Sequence, residues 1–208
     1  MASRRAATRA GELKARLSEH PIRPLEISDL LDGSTHDERV EAVRSLGRSE
    51  QRRLYGAVDG FRPVRLEHLV PPSVEAFTSV RHYGRNTLPL FTSFEKRFCR
   101  PRGADSLNPA LLYGFNFQIL APVTGPGYFV AREAPGRPEV AIDYNDVPPE
   151  HPEGWPEIRR NERGLARFVY GFMVDTLRGV SEHVSIGSAA RRGKDIGSWF
   201  VLCREPKQ

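Results

Sequence analysis

The chain has 208 residues, 39% hydrophobic and 27% charged, with a net charge of +5 at neutral pH. Those fractions suit a globular protein of one compact domain, or a domain with a smaller helical appendage. No run approaches the roughly 18 apolar residues that a spanning helix needs, so a soluble, cytoplasmic protein is expected.

Cys99 and Cys203 lie far apart and match no metal spacing; without a secretory signal, reduced thiols are expected. The N-terminus, Met1-Ala-Ser-Arg-Arg, is basic but lacks an apolar centre, so it reads as a frayed end and not a targeting segment.

The first sixty residues read as helical. Leu13 and Leu17 mark one face of a helix ending near His20-Pro21, and Leu25, Ile27, Leu30 and Leu31 make a second apolar segment stopped at Asp32-Gly33. Thr35 and Glu38 have the spacing of a capping box, in which the hydroxyl accepts a backbone N–H and the carboxylate reaches back. Val40, Val43 and Leu46 continue that helix, and Leu54, Tyr55 and Val58 mark another ended by Asp59-Gly60. This apolar stripe is too thin for an independent core, so it is expected to dock on the rest of the chain or on a partner.

From Arg62 the character changes. Prolines in the connector 61–72 argue against regular structure. Leu88, Phe91, Phe94 and Phe98 recur at helical spacing and predict a helix over 87–99, with a strand as the alternative for so short a run. Leu111 to Val123 is uncharged and apolar, a buried strand; the turn 124–127 joins it to a return strand from Tyr128, and Ala134-Pro-Gly136 leads to a third strand over Glu139–Tyr144. Residues 145–158 are proline-rich and acidic, a loop. Leu165, Phe168, Val169, Phe172, Met173 and Leu177 predict a helix over 161–178, capped by Asn161, with short strands near 182–187 and 197–204 after it. The fold class this implies is α+β: an N-terminal helical hairpin (1–60) preceding an antiparallel domain (61–208), with the long helix packed across one face of the sheet.

Motifs of established chemistry are missing. Gly125-Pro-Gly127 precedes an aromatic β pattern and not a helix, so it is a turn and not a phosphate loop. The six histidines are dispersed, with no local metal motif, and no metal or cofactor is expected. Asp175 and Arg178 are three apart with His183 close behind, and an aspartate orienting that imidazole would make a general base. Asp143, at a strand end, is a second acid–base candidate. Arg81 and Tyr83 belong to the densest polar cluster of the chain, where a guanidinium and a phenol can hold an anion.

Function is therefore expected to be the binding of a small, largely apolar molecule in a cavity between sheet and helix. Its anionic end would be held by Arg81 or Arg178, with Tyr83, Phe172 and Trp199 in contact and His183, Asp143 or Asp175 supplying any acid–base chemistry; Phe115, Phe117, Tyr128, Phe129 and Phe168 are further lining candidates. Two other readings stand beside it. One is a protein-interaction module using the stripe of residues 36–58. The other, weaker, is nucleic-acid association through the basic segments 81–102 and 191–194, of which the first carries Arg81, Arg85, Lys96, Arg97, Arg100 and Arg102 against Glu95 alone.

Overall fold

A computed structural model describes residues 2–89, 92–117, 125–159 and 170–206, with side chains from residue 5 onward. Four helices come first, α1 (Ala2–Ser18), α2 (Pro24–Asp32), α3 (His36–Arg44) and α4 (Arg48–Ala57), followed by the single turn α5 (Leu66–Leu69). Eight strands follow: β1 (Val80–Asn86), β2 (Ser93–Cys99), β3 (Leu112–Phe117), β4 (Tyr128–Glu133), β5 (Val140–Asp143), β6 (Met173–Gly179), β7 (Val184–Arg191) and β8 (Lys194–Arg204). Each strand pairs antiparallel with the next, and β8 pairs back on β1, with Gly84 opposite Leu202, so the sheet closes into an up-and-down barrel.

The expected α+β fold, with a helix over 161–178 lying on an open sheet, is thereby corrected. Residues 161–169 lie outside the described residues, but Met173–Gly179 is a strand hydrogen-bonded on both sides, to β5 and β7. Phe172 sits at φ 60, a left-handed conformation that no α-helix passes through. The apolar recurrence at Phe172, Met173 and Leu177 reflects strand packing, because Asp175 and Leu177 are buried while Val174, Thr176 and Arg178 between them are less so. The helix expected over 87–99 is likewise β2 over its second half, with Phe94, Lys96 and Phe98 alternating inward. Of the strand expected over 111–123, residues 112–117 form β3 and 118–124 lie outside the described residues.

Closure depends on small residues at the inward positions. Cβ atoms built on Gly84, Gly114 and Gly187 would come within 2.7, 2.3 and 2.2 Å of the rings of Phe94, Phe129 and Phe200 respectively. These aromatic rings occupy the space that the glycines leave free and fill a lumen that side chains on both strands would overcrowd. Gly114→Ala is therefore expected to lower stability by about 1–3 kcal/mol, read as a lower urea midpoint with an unchanged m value. Gly11→Ala on α1, where a Cβ meets nothing within 4 Å, is expected to raise stability by about 0.5–1 kcal/mol.

One end and the flanks of the barrel are finished by the rest of the chain. Val64, Leu66, Leu69 and Val70, on and around α5, join Val80, Phe98 and Leu202 in the barrel core and plug one end. The plug's carbonyl groups are met by inward cations and an imidazole: His82 Nε2 donates to Leu69 O at 2.9 Å, Arg100 Nη1 to Pro71 O at 3.3 Å, and Arg204 to His68 O. Outside, Leu17, Ile27, Leu31, Val43 and Leu54 of the four helices, with Leu46 between α3 and α4, pack on Val184, Ile186, Val201 and Cys203 of β7 and β8 in one buried cluster. The thin helical stripe thus docks on the chain's own barrel. The capping box at the start of α3 is formed, with Glu38 accepting from Thr35 N at 2.9 Å. A third cluster, Cys99, Phe115, Tyr128 and Trp155, fastens the acidic loop over the outer face of β2–β4.

Candidate functional site

Opposite the plug, the barrel opens into a cavity of about 310 Å³. This is at the small end of the range of small-molecule sites, roughly 300–1,000 Å³. Phe94, Tyr170, Met173, Ala189, Ser198 and Phe200 wall it, and Leu88, Arg191 and Ile196 stand at its rim. Tyr170 is held as a wall by stacking on Tyr144, with centroids 5.3 Å apart and planes at 16°. Gly127, at φ +57, makes that placement possible, since a Cβ there would lie 2.4 Å from the Tyr170 ring.

At the floor, four polar side chains from four strand ends or interiors converge: Lys96 of β2, Asn116 of β3, Tyr144 just past β5 and Asp175 of β6. Lys96 Nζ donates to Asn116 Oδ1 at 3.0 Å, to Asp175 Oδ2 at 3.2 Å and to the Tyr144 hydroxyl oxygen. The Tyr144 hydroxyl donates to Asp175 Oδ2 at 3.1 Å and accepts from Asn116 Nδ2 at 3.0 Å. Each group is placed by strand alternation, being the one polar residue on an inward face otherwise apolar or glycine nearby.

Burial is nearly complete, with the Lys96 and Asp175 side chains only 2% and 3% exposed. Burial pushes the Lys96 ammonium down and the Asp175 carboxyl up, each opposed by the charge of the other. The Tyr144 phenol is pushed well above its ordinary range, first by burial and then by the Asp175 charge, so it remains a donor. Four rings surround the ammonium, with Phe200, Tyr144, Phe129 and Phe94 centroids 4.7, 5.0, 5.1 and 5.8 Å from Nζ. Their π faces replace part of the hydration that the cation has lost. One valence is left open: among the described residues, Asp175 Oδ1 has no hydrogen-bond partner. A buried acceptor in that state costs about 1–3 kcal/mol and invites a donor.

Of the acid–base and ligand-holding residues expected from sequence, the structure brings Asp175 alone to this floor, and of the expected lining aromatics it brings Phe129, its ring centroid 5.1 Å from Lys96 Nζ. His183 lies in the β6–β7 turn at the plug end, where its Nδ1 accepts from Arg204 Nη2 at 3.1 Å and burial lowers its basicity. Asp143 faces outward and accepts from Asn145 N at 2.8 Å in a local turn. Arg178 is on the outer face of β6, paired with Glu139 at 2.8 Å and Asp59 at 3.0 Å, its guanidinium 4.1 Å from the Tyr55 centroid. Arg81 is exposed at the plug end of β1, and Tyr83 packs outward on His36 of α3 with centroids 5.4 Å apart. Trp199 faces outward beneath Arg48, and Phe172 is exposed beside the mouth with Arg192 4.6 Å over its ring. The expected cavity between sheet and helix is replaced by the barrel mouth, and Phe168 lies outside the described residues.

Sequence reads Lys96 only as one cation of the basic segment 81–102 and gives Asn116 and Tyr144 no role in the site. The signal was present in the alternation Phe94-x-Lys96-x-Phe98, where a charge falls at the centre of an inward apolar row; a helical reading of that run turns Lys96 to solvent. The cysteines supply no nucleophile: Cys99 and Cys203 are free and buried in separate clusters, and burial pushes their thiols up to about 12 and about 11. A second cleft, of about 220 Å³, lies at the other end of the barrel beside Val80 and Arg204.

Fold and site together define an eight-stranded up-and-down barrel, plugged at one end and open at the other onto a buried polar quartet. No protein-family model, curated protein or solved structure matches the chain. Among the described residues no helix is long and apolar enough to cross a membrane.

Proposed function

We propose that this protein binds a small, largely apolar molecule in the barrel mouth, with a hydrogen-bond-donating head group, a hydroxyl above all, seated on Asp175. The observation that carries this reading is Asp175 Oδ1, a buried acceptor without a hydrogen-bond partner among the described residues, on a side chain that lines an aromatic-walled cavity. The floor already balances one cation against one carboxylate, so an incoming anion meets no unpaired charge there and is repelled by Asp175. Arg81 and Arg178, which face away from the cavity, take no part. The exposed Leu88 and Ile196 at the rim suit the entry of an apolar tail.

Calorimetric titration with n-octanol and with octanoate tests the reading. One n-octanol per chain is expected to bind, and octanoate about tenfold or more weakly, a difference of about 1.4 kcal/mol. Ala189→Phe, which fills the wall of the cavity, is expected to abolish binding of both while leaving the folded far-ultraviolet spectrum intact. Equal binding of the two ligands, or binding that survives Ala189→Phe, would remove the proposal.

A further inference from the structure

Resting on the ligand site just described, a second property belongs to Lys96 itself. Four of the 31 basic residues in the chain are lysines: Lys14, Lys96, Lys194 and Lys207. The other buried cations among the described residues, Arg39, Arg100 and Arg204, are all arginines, each donating to backbone carbonyl groups. Arginine is the better structural cation, fixed in charge and forked in geometry, and it cannot act as a nucleophile. At the cavity floor the chain instead places a primary amine, at the end of the flexible stem that suits covalent chemistry with carbonyl groups.

We propose that Lys96 is an attachment point for aldehydes, its amine condensing with the carbonyl group of an apolar aldehyde in the cavity to form an imine. Asp175 Oδ2 lies 3.2 Å from Nζ and takes a proton from the ammonium. The freed lone pair adds to the carbonyl carbon, breaking the C=O π bond, and the oxygen receives that proton to become the hydroxyl of a carbinolamine. Asp175 then takes a second proton from nitrogen and delivers it to the hydroxyl, which leaves as water as the C=N bond forms. Two of the three ammonium protons depart in the water, and the third remains on the iminium nitrogen, whose charge is held opposite Asp175. No oxidant or reductant enters the balance.

The surroundings favour each stage. Oδ1 of Asp175, a buried acceptor without a hydrogen-bond partner among the described residues, is the acceptor for the carbinolamine hydroxyl. The rings of Phe200 and Phe129 that border the ammonium border the iminium as well. Burial lowers the Lys96 amine, and each unit of lowering raises its neutral, nucleophilic fraction at neutral pH about tenfold.

The test uses the unmodified protein with octanal at equimolar concentration and sodium cyanoborohydride, followed by intact mass and peptide mapping. A single octyl addition at Lys96 is expected, exceeding that at Lys14, Lys194 or Lys207 by about tenfold or more, and excess n-octanol should slow it. Octyl groups spread over the surface lysines or the N-terminus, with Lys96 unlabelled while n-octanol still binds, would overturn the imine and leave the binding site standing. Lys96 unlabelled with no binding of n-octanol would overturn both. Labelling of Lys96 that persists undiminished in Ala189→Phe would place the reaction outside the cavity and also count against it.

Discussion

Lys96→Met is expected to lower the unfolding free energy by about 3–5 kcal/mol, and the double variant Lys96→Met/Asp175→Leu to regain most of that loss. The asymmetry follows from what each change leaves behind. Removing the lysine strands the Asp175 carboxylate in a core where its side chain is 3% exposed and where Tyr144 and bulk aromatic rings offer no balancing charge. Removing both charges leaves apolar side chains of similar volume against Phe94, Phe129 and Phe200, which desolvation does not penalise. The single variant should also acquire a new pH dependence. Without Lys96, burial holds the folded-state carboxyl above its unfolded value of about 3.9, so the folded state binds the extra proton, and stability falls as pH rises through the folded pKa. Urea unfolding of the unmodified protein and the variants at about pH 5 and about pH 8 measures both effects, with the deficit of the single variant relative to the unmodified protein smaller at the lower pH. A single variant as stable as the unmodified protein, or a double variant no better than the single, would show that Lys96 and Asp175 do not stabilise the fold as one buried pair.

That unit explains why the site was largely illegible in the chain while much of the local structure was not. The capping box at Thr35 and Glu38, the turn at Ala134–Gly136 and the β pattern from Tyr128 are short-range features, in which neighbours in sequence decide the outcome. Barrel closure is not short-range. It depends on β1 meeting β8 more than a hundred residues later, and on Gly84, Gly114 and Gly187 yielding space to rings on other strands. β7 reads Val184-Ser-Ile-Gly-Ser-Ala-Ala-Arg191, whose small residues carry almost no hydropathic signal yet pair with β6 and β8 along their full length. The spacing of Phe94 and Phe98 satisfies a helical and an extended pattern alike, and only the partner strands decide between them. Once that run is taken as helical, Lys96 becomes an ordinary surface cation.

The sequence points to Asp175, but with Arg178 and His183 as its companions. On a helix it would face Arg178; on a strand, residues three apart point to opposite faces, and Arg178 is carried outward to Glu139 and Asp59. The same parity rule that separates Asp175 from Arg178 brings it to Lys96, Asn116 and Tyr144, each from a different strand or strand end. Convergence across a lumen is therefore a consequence of period two combined with closure, and neither alone predicts it. The plug and the mouth then divide the labour of the barrel: α5 and its hydrogen bonds seal one end, and the quartet sits below the open one.

Acid should unfold this protein chiefly through the sealed end, at His82. Its imidazole is 2% exposed, donates from Nε2 to Leu69 O at 2.9 Å and stands edge-on to Phe98. Burial, reinforced by the nearby charges of Arg204 and Lys96 and opposed by the Leu69 carbonyl, lowers its pKa to about 3. An unfolded histidine titrates near about 6.5, so between those values the unfolded chain takes up a proton that the folded one refuses. Stability is therefore full above the unfolded pKa and declines as pH falls, with a loss of about 2–3 kcal/mol between about pH 7 and about pH 4.5 from this one group. His36, His68 and His183 are also lowered by burial and act in the same direction, but they are less buried and contribute less. His82→Gln keeps an N–H within reach of the plug and has no proton to gain. It is expected to cost stability at neutral pH through lost ring packing, yet to show a visibly flatter decline toward pH 4.5 in urea titrations. An unchanged slope in His82→Gln would mean that the imidazole is protonated inside the folded barrel, and that the contact between β1 and the plug is made in another way.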